Sequence, residues 1–361
     1  MCTGHKYRLE EKGQYERTKD GKLTLKAKII IGKEEFYNEL KKEPLYWQKY
    51  NITKIPCGTC MECRLKDSKE WAFRCMKEAQ SNEKNVMLTL TYDDKHIPRG
   101  IKPIKVDEIT GEVLEYKMSN TLWKKEHQDF MKRLRKKYGT GIKFRLCGEY
   151  GSEKEYKDWK GNVRKATKRP HFHIICFGLD VPDMKFHKWS YCEWDKKQKN
   201  ALFKSKTIDK LWGKGWVDLN EVNWETCAYV SRYIMKKQKG KGSKEHYEDE
   251  GLLPEYAQIS NRPGIGNHYF YENIEKFLRD EKHFIKTKKG ILEIGAIRYY
   301  DKLIEKEYPE EWERIKRERR KRSESIMKEI LAKTDIEESR YIDNKGRKTE
   351  KRCKKLIRPL A

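Results

Sequence analysis

The sequence predicts an α+β fold, an antiparallel sheet with helices laid on one side. Three observations predict it. Short apolar runs with strand-like alternation recur at 85–92, 142–147, 170–177 and 216–222. The connections between them lack the long helical crossovers that parallel pairing needs. Two amphipathic helical patterns, over 121–138 and after Asn223, supply flanking helices.

The elements follow in order. Residues 1–56 are polar and lysine-rich, with a short strand over Leu23–Ile31. A cysteine cluster comes next, then a helix over 64–80. In Asn85–Tyr92, Val86, Leu88, Leu90 and Tyr92 alternate with Met87, Thr89 and Thr91, and Asp93 and Asp94 end the strand. Residues 93–120 read as a loop or an inserted hairpin turning at Thr110-Gly111. The helix over 121–138 puts Trp123, Phe130, Leu134 and Tyr138 on one face and many Lys and Arg on the other, and Gly139 stops it.

The strand 142–147 runs into Gly148-Glu149-Tyr150-Gly151, and a charged loop over 152–168 leads to the strand within 169–178, closed by Gly178. A mixed aromatic segment holds a short helix at 207–212, and 216–222 is a further strand. Asn223 is the N-cap of a helix that meets no Pro or Gly until Gly240. Beyond Gly242 order is expected to drop, apart from a turn-rich patch at 260–266 that must pack on something and a charged helical stretch at 312–333 before a basic tail. Three regions result: 1–80 with the cysteine cluster, a core over 81–240, and a basic, partly flexible extension over 241–361.

Composition narrows the partners. Lys and Arg number 83 against 57 acidic residues, a formal charge of +26. Such a field favours a polyanion, nucleic acid first and an anionic membrane surface second. The 10 Trp, 21 Tyr and 11 Phe oppose wholesale disorder despite 39% charged residues. No apolar run reaches the roughly 18 residues of a bilayer span. No signal-peptide pattern is evident, so a soluble intracellular protein is expected.

Side chains on a strand alternate, so His171 and His173 share a face while Phe172, Ile174 and Cys176 point into a core. Two readings stand: a pair able to grip one cation, or two unrelated histidines on a half-buried strand. If the strand ending in Glu149 neighbours the histidine strand, its carboxylate reaches the same cation. Two imidazoles and a carboxylate suit Mg²⁺ or Mn²⁺ in phosphodiester chemistry, and Zn²⁺ fits the same ligands.

On the later helix, Tyr229, Tyr233 and Lys236 form one stripe, with Cys227, Val230 and Ile234 opposite as the docked stripe. An ordinary amphipathic helix with snorkelling Tyr and Lys would look the same. Beside a metal site, a tyrosine hydroxyl is a covalent nucleophile for phosphorus, and Lys236 is placed to stabilise charge or lower a phenol pKa. Two tyrosines one turn apart allow one to hold a 5′ phosphate while the other attacks a regenerated cleavage site.

Cys57, Cys60 and Cys63 stand in a Cys-x2-Cys-x2-Cys run, spacing that suits structural zinc, with Cys2 or Cys75 as the fourth ligand. The other reading is a redox-inert cysteine-rich turn. Cys147, Cys176 and Cys192 read as reduced core thiols.

Taken in order, these motifs resemble the replication initiators of microviruses of the gokushovirus branch, within the HUH endonuclease superfamily. The resemblance rests on Pro56–Arg64 with Trp71 and Arg74, on Leu88-Thr-Leu-Thr-Tyr92, on Gly148-Glu149-Tyr150-Gly151 and Arg169-Pro-His171-Phe-His173, on Tyr229-Val-Ser-Arg-Tyr233-Ile-Met-Lys236, and on 260–266. It covers somewhat more than half of the chain. It implies an HUH/RRM-like nuclease core, with His171, His173 and Glu149 as metal ligands and Tyr229 and Tyr233 as nucleophiles. It also implies an enzyme that nicks the phage origin in the replicative form and stays on the 5′ end. Host helicase and DNA polymerase would extend the 3′ hydroxyl, and the enzyme would circularise the displaced single strand, all in the host bacterial cytoplasm. One departure is Arg232, where the wider superfamily commonly has lysine three residues after a tyrosine, so the two tyrosines need not act symmetrically. The rivals are another HUH enzyme, such as a plasmid initiator or relaxase, and a non-catalytic basic single-strand binder with a zinc knuckle.

Overall fold

Period-two alternation of apolar side chains decides how this chain is layered. The computed structural model describes residues 6–17, 23–31, 33–42, 45–151, 156–157, 163–164, 168–192, 195–233, 243–280, 282–287, 290–334 and 336–353. Two compact units emerge, one from residues 1–67 with 318–355 and one from residues 68–317. No described helix is long and apolar enough to cross a membrane.

In the first unit, β1 (Lys6–Arg17) lies between β2 (Leu23–Ile31) and β3 (Tyr50–Ile55) in an antiparallel sheet. Leu9, Ile30 and Phe36 of α1 (Lys33–Lys42) form its small core, and Tyr7 stacks on Phe36. A short α2 (Tyr46–Lys49) precedes β3. The lysine-rich start therefore holds three strands where one was expected. After the cysteines comes α3 (Met61–Gln80), three residues longer at its start than predicted.

The second unit is built on a seven-stranded sheet. Chain order gives β4 (Asn85–Tyr92), a hairpin of β5 (Arg99–Val106) and β6 (Val113–Asn120), α4 (Lys124–Tyr138) and β7 (Lys143–Tyr150). The two-residue strands β8 (Tyr156–Lys157) and β9 (Val163–Arg164) pair before β10 (Pro170–Phe177). Then come β11 (Lys185–Cys192), β12 (Asp195–Lys204), α5 (Lys206–Trp212), β13 (Gly215–Glu221) and α6 (Trp224–Tyr233). After α7 (Ser243–Asp249), β14 (Tyr256–Ile259) completes a sheet of order β11-β12-β13-β4-β10-β7-β14, antiparallel throughout.

Helices cover both faces of this sheet, not one. On one face Leu88, Leu90, Phe172, Ile174, Val217 and Leu219 meet Phe130 and Leu134 of α4 and Ile208 and Trp212 of α5. On the other, Met87, Cys147, Ile175 and Phe177 meet Ala72, Cys75 and Ala79 of α3 and Cys227 and Val230 of α6. The reason lies in β10. From Ile174 to Phe177 it is apolar at every position, so that half needs cover on both sides. Only its first half carries polar groups, His171 and His173, on the second face.

Trp123 does not join the α4 stripe. It precedes the first helical residue and stands 55% exposed, and His127 and Met131 are buried with Phe130 and Leu134 instead. His127 is held by the Tyr256 hydroxyl at 2.9 Å and Gln258 at 2.7 Å. Gly139, at φ +102, ends the helix with its N–H on Arg135 O.

The expected loss of order after Gly242 is not found in the described residues. Beyond β14 stand α8 (Asn267–Glu272), α9 (Ile274–Arg279), the hairpin β15 (His283–Thr287) and β16 (Gly290–Ile294), and α10 (Arg298–Glu307). Phe270, Phe277, Ile285, Ile294, Tyr300 and Ile304 pack around Phe73 of α3 as a third core. These elements are too short for a periodicity to declare itself. The turn-rich patch packs on α3: Ile265 is fully buried, Arg74 Nε donates to its carbonyl at 2.9 Å, and the Gly266 N–H reaches Glu78 Oε2 at 2.7 Å. The charged stretch is α11 (Pro309–Ala332), and much of the basic tail is α12 (Glu338–Cys353).

Candidate metal and tyrosine site

The site is set by strand register. In antiparallel neighbours, residues directly opposite one another point to the same face. β10 pairs His171 with Glu149 on β7 and Thr91 on β4, and His173 with Cys147 and Thr89. Glu149, His171, His173, Thr89 and Thr91 therefore share the polar half of one face.

Glu149 Oε1 lies 2.8 Å from His171 Nε2 and 3.2 Å from His173 Nε2. The remaining ring nitrogens are held from behind. His171 Nδ1 is 2.9 Å from Arg169 O, and a carbonyl only accepts, so Nδ1 carries a proton. His173 Nδ1 is 3.1 Å from Thr89 Oγ1. Both Nε2 atoms are thereby turned inward, the arrangement that outer-sphere partners impose on metal-binding histidines. Glu149 is 2% exposed and His173 3%. Burial pushes the Glu149 carboxyl up, but the hydrogen bonds and charges of His171 and His173 outweigh it and hold the group well below the usual carboxylate range.

The three donor atoms lie within 4.8 Å of one another. Two nitrogens and one hard oxygen fit a borderline or hard divalent ion, and three protein ligands leave room for substrate oxygens. His171, whose side chain is 17% exposed, is the open side of the cluster.

Helix α6 delivers the tyrosine. Asn223 Oδ1 accepts the Thr226 N–H at 2.9 Å, and Thr226 Oγ1 accepts the Asn223 N–H at 2.8 Å, a reciprocal cap. Cys227 and Val230 bury against Cys147, Ile175 and Phe177, which fixes the helix rotation. Tyr229 then sets its ring edge-on to His173, with centroids 5.3 Å apart, and stays 40% exposed. Tyr233 closes the helix. Its side chain, and Ile234 and Lys236 entirely, lie outside the described residues.

Two site residues carried no role in the sequence reading. Thr89 orients His173. Arg169 donates to Tyr92 O at 2.8 Å and pairs with Asp94, tying the start of β10 to the end of β4. Thr89 could be recognised as facing away from the core stripe of its strand. Its partner strand could not.

Cys57, Cys60 and Cys63 also converge, their sulfurs within 4.8 Å of one another. Cys57 Sγ accepts the N–H groups of Cys60 at 3.2 Å and Thr59 at 3.4 Å, contacts that favour a thiolate. Cys75 is not the fourth ligand. It is buried between α3 and α6, hydrogen-bonded to Cys227. Cys2 lies outside the described residues.

A family model for the phage replication-associated protein ORF2 matches residues 85–238, from the first residue of β4 to beyond Lys236. The replication-associated protein ORF2 of Spiroplasma virus 4 is 31% identical over 322 residues, covering 85% of each chain. The chain belongs to the replication-initiator family of the microviruses. The resemblance expected from the motifs holds. The replication-associated protein VP4 of Bdellovibrio phage phiMH2K is 27% identical over 272 residues, 72% of this chain and 70% of that one. The replication-associated protein ORF4 of Chlamydia phage 1 is 30% identical over 266 residues, 70% of this chain and 54% of the relative. No solved structure matches. In this microvirus initiator the family match takes in the Glu149 cluster and the Tyr229 helix and excludes the three clustered cysteines.

Proposed function

We propose that this initiator starts rolling-circle replication by nicking one strand of the double-stranded replicative form at the phage origin. The seven-stranded sheet is then an HUH nuclease core. The observation that carries the reading is the edge contact between Tyr229 and His173, which puts a phenol beside the Glu149–His171–His173 cluster.

Mg²⁺ or Mn²⁺ held by His171, His173 and Glu149 would polarise the scissile phosphate and offset developing charge. The Tyr229 phenol oxygen attacks phosphorus, a P–O(Tyr) bond forms, and the P–O3′ bond breaks. The phenol proton leaves to solvent or a base, and the departing 3′ oxygen takes up a proton to become a free hydroxyl. Host polymerase and helicase extend that end. Tyr233 attacks the regenerated origin, and the freed 3′ hydroxyl displaces Tyr229 from the first phosphate, closing the circle. Each step exchanges one phosphodiester for another, so joining needs no ATP. Lys236 stabilises charge at the second centre. Cys57, Cys60 and Cys63, with Cys2, hold a structural zinc.

The test is to incubate the purified chain with supercoiled replicative form and Mn²⁺ or Mg²⁺, digest the DNA, and seek a peptide containing Tyr229 and Tyr233 that carries a nucleotide. A metal-dependent nick with that adduct, lost in the Tyr229→Phe/Tyr233→Phe double variant, is expected. DNA binding with neither nick nor adduct on the cognate origin would replace this reading with that of a basic single-strand-binding protein.

A further inference from the structure

At the N-terminal end of α6 a cavity of about 290 Å³ opens beside β11, β12 and β13. Phe186 and Trp189 stand at its wall, 53% and 54% exposed, with ring centroids 5.3 Å apart. Two large aromatic faces left in water beside a cavity mark a surface awaiting a flat apolar partner. The other lining is amide-rich: Asn200, Asn220 and Asn223. Asn220 Nδ2 donates to Ala201 O at 3.1 Å, and Asn223 is held by its cap bond to Thr226, so both amides are fixed in direction.

A flat ring with a hydrogen-bonding edge satisfies both halves of this lining. The chain's charge of +26 says which polymer brings such rings to the surface. The cavity also lies close to the chemistry. Asn223 precedes Tyr229 by six residues, about 9 Å along a helix axis at 1.5 Å per residue. That is a span of roughly one to three nucleotides at about 3.4 Å or more each.

We infer that this pocket takes one unpaired base of the origin strand, stacked against Trp189 and Phe186 and read at its edge by the asparagines, and so helps choose the phosphate that Tyr229 meets. The inference rests on the nicking reading, but its test does not. Binding of the full chain to single-stranded oligonucleotides spanning the origin is measured by anisotropy in EDTA, where no cleavage is needed, with each position in turn made abasic. For the natural chain, one position or two adjacent ones should weaken binding by roughly five- to a hundredfold, the size of a lost base–aromatic stack. Trp189→Ala should weaken the intact oligonucleotide by a similar factor and lose nothing further at that position. Trp189→Tyr, which keeps a stacking face, should restore the dependence. Because Trp189 is exposed, unaltered thermal unfolding of the alanine variant is expected to accompany these results. Unchanged binding by Trp189→Ala, or a loss that simply adds to every abasic position, would overturn the pocket. A chain that shows the coupling but never nicks would overturn the nuclease reading alone.

Discussion

Glu149 stands directly across from His171 in neighbouring antiparallel strands, and the same carboxylate oxygen that meets His171 Nε2 at 2.8 Å lies 3.2 Å from His173 Nε2. One oxygen thus joins two imidazoles whose other nitrogens are held from behind. Glu149→Gln keeps the shape and removes the anionic donor. Mn²⁺ affinity measured by calorimetry on the full chain should fall at least about tenfold, and nicking should fall with it. Unchanged Mn²⁺ affinity would remove Glu149 from the ligand set.

Thr89 contributes only an orienting hydroxyl, 3.1 Å from His173 Nδ1. Thr89→Val is close in shape and leaves that nitrogen without it. Metal affinity should drop about 10- to 100-fold, while stability changes by about 1–2 kcal/mol. A stability loss with intact metal binding would mean that the hydroxyl serves packing on β4 rather than the histidine.

How much of this was legible beforehand depended on the range of the interactions. The face shared by His171 and His173, and the core turn of Phe172 and Ile174, follow from alternation along one strand. The rotation of α6 follows from the Cys227/Val230 stripe, and its start from the Asn223 cap. Pairing between distant strands is not written locally, so Glu149 could be offered only conditionally and Thr89 received no role. Trp123 fitted the helical period but lies one residue outside the helix, where the period has no force. The segment after Gly242 misled because its apolar residues are spread over elements of four to ten residues. Each turns inward only because Phe73 of α3 is there to receive it.

The cysteine cluster separates into ligand and bystander. Elemental analysis of the chain purified without chelators should give about one zinc per chain. Cys60→Ser and Cys63→Ser should lose it, since three sulfurs within 4.8 Å cannot hold the ion as two. Cys75→Ser should retain it, because Cys75 is committed to Cys227 in the core. Zinc surviving Cys60→Ser would return the cluster to an inert turn.

Gly266 tests the packing of the 260–266 turn on α3. Its φ is +75, and a Cβ there would come within 2.6 Å of the Tyr300 hydroxyl and 3.3 Å of Arg74 O. Both neighbours are fixed. Tyr300 is 1% exposed and donates to Gly266 O at 3.1 Å, and Arg74 lies between the rings of Trp71 and Tyr299 at 4.1 and 3.7 Å. Gly266→Ala therefore combines a left-handed backbone with overpacking, for a cost of about 3 kcal/mol or more. Chemical denaturation should show a lower midpoint with an unchanged slope. The same α3 packs Cys75 against Cys227 of α6, so the variant should also lose nicking activity faster than the natural chain on warming. A Gly266→Ala chain as stable as the natural one would mean that the turn can lift off α3 without loss, and that Glu78 and Arg74 do not hold it.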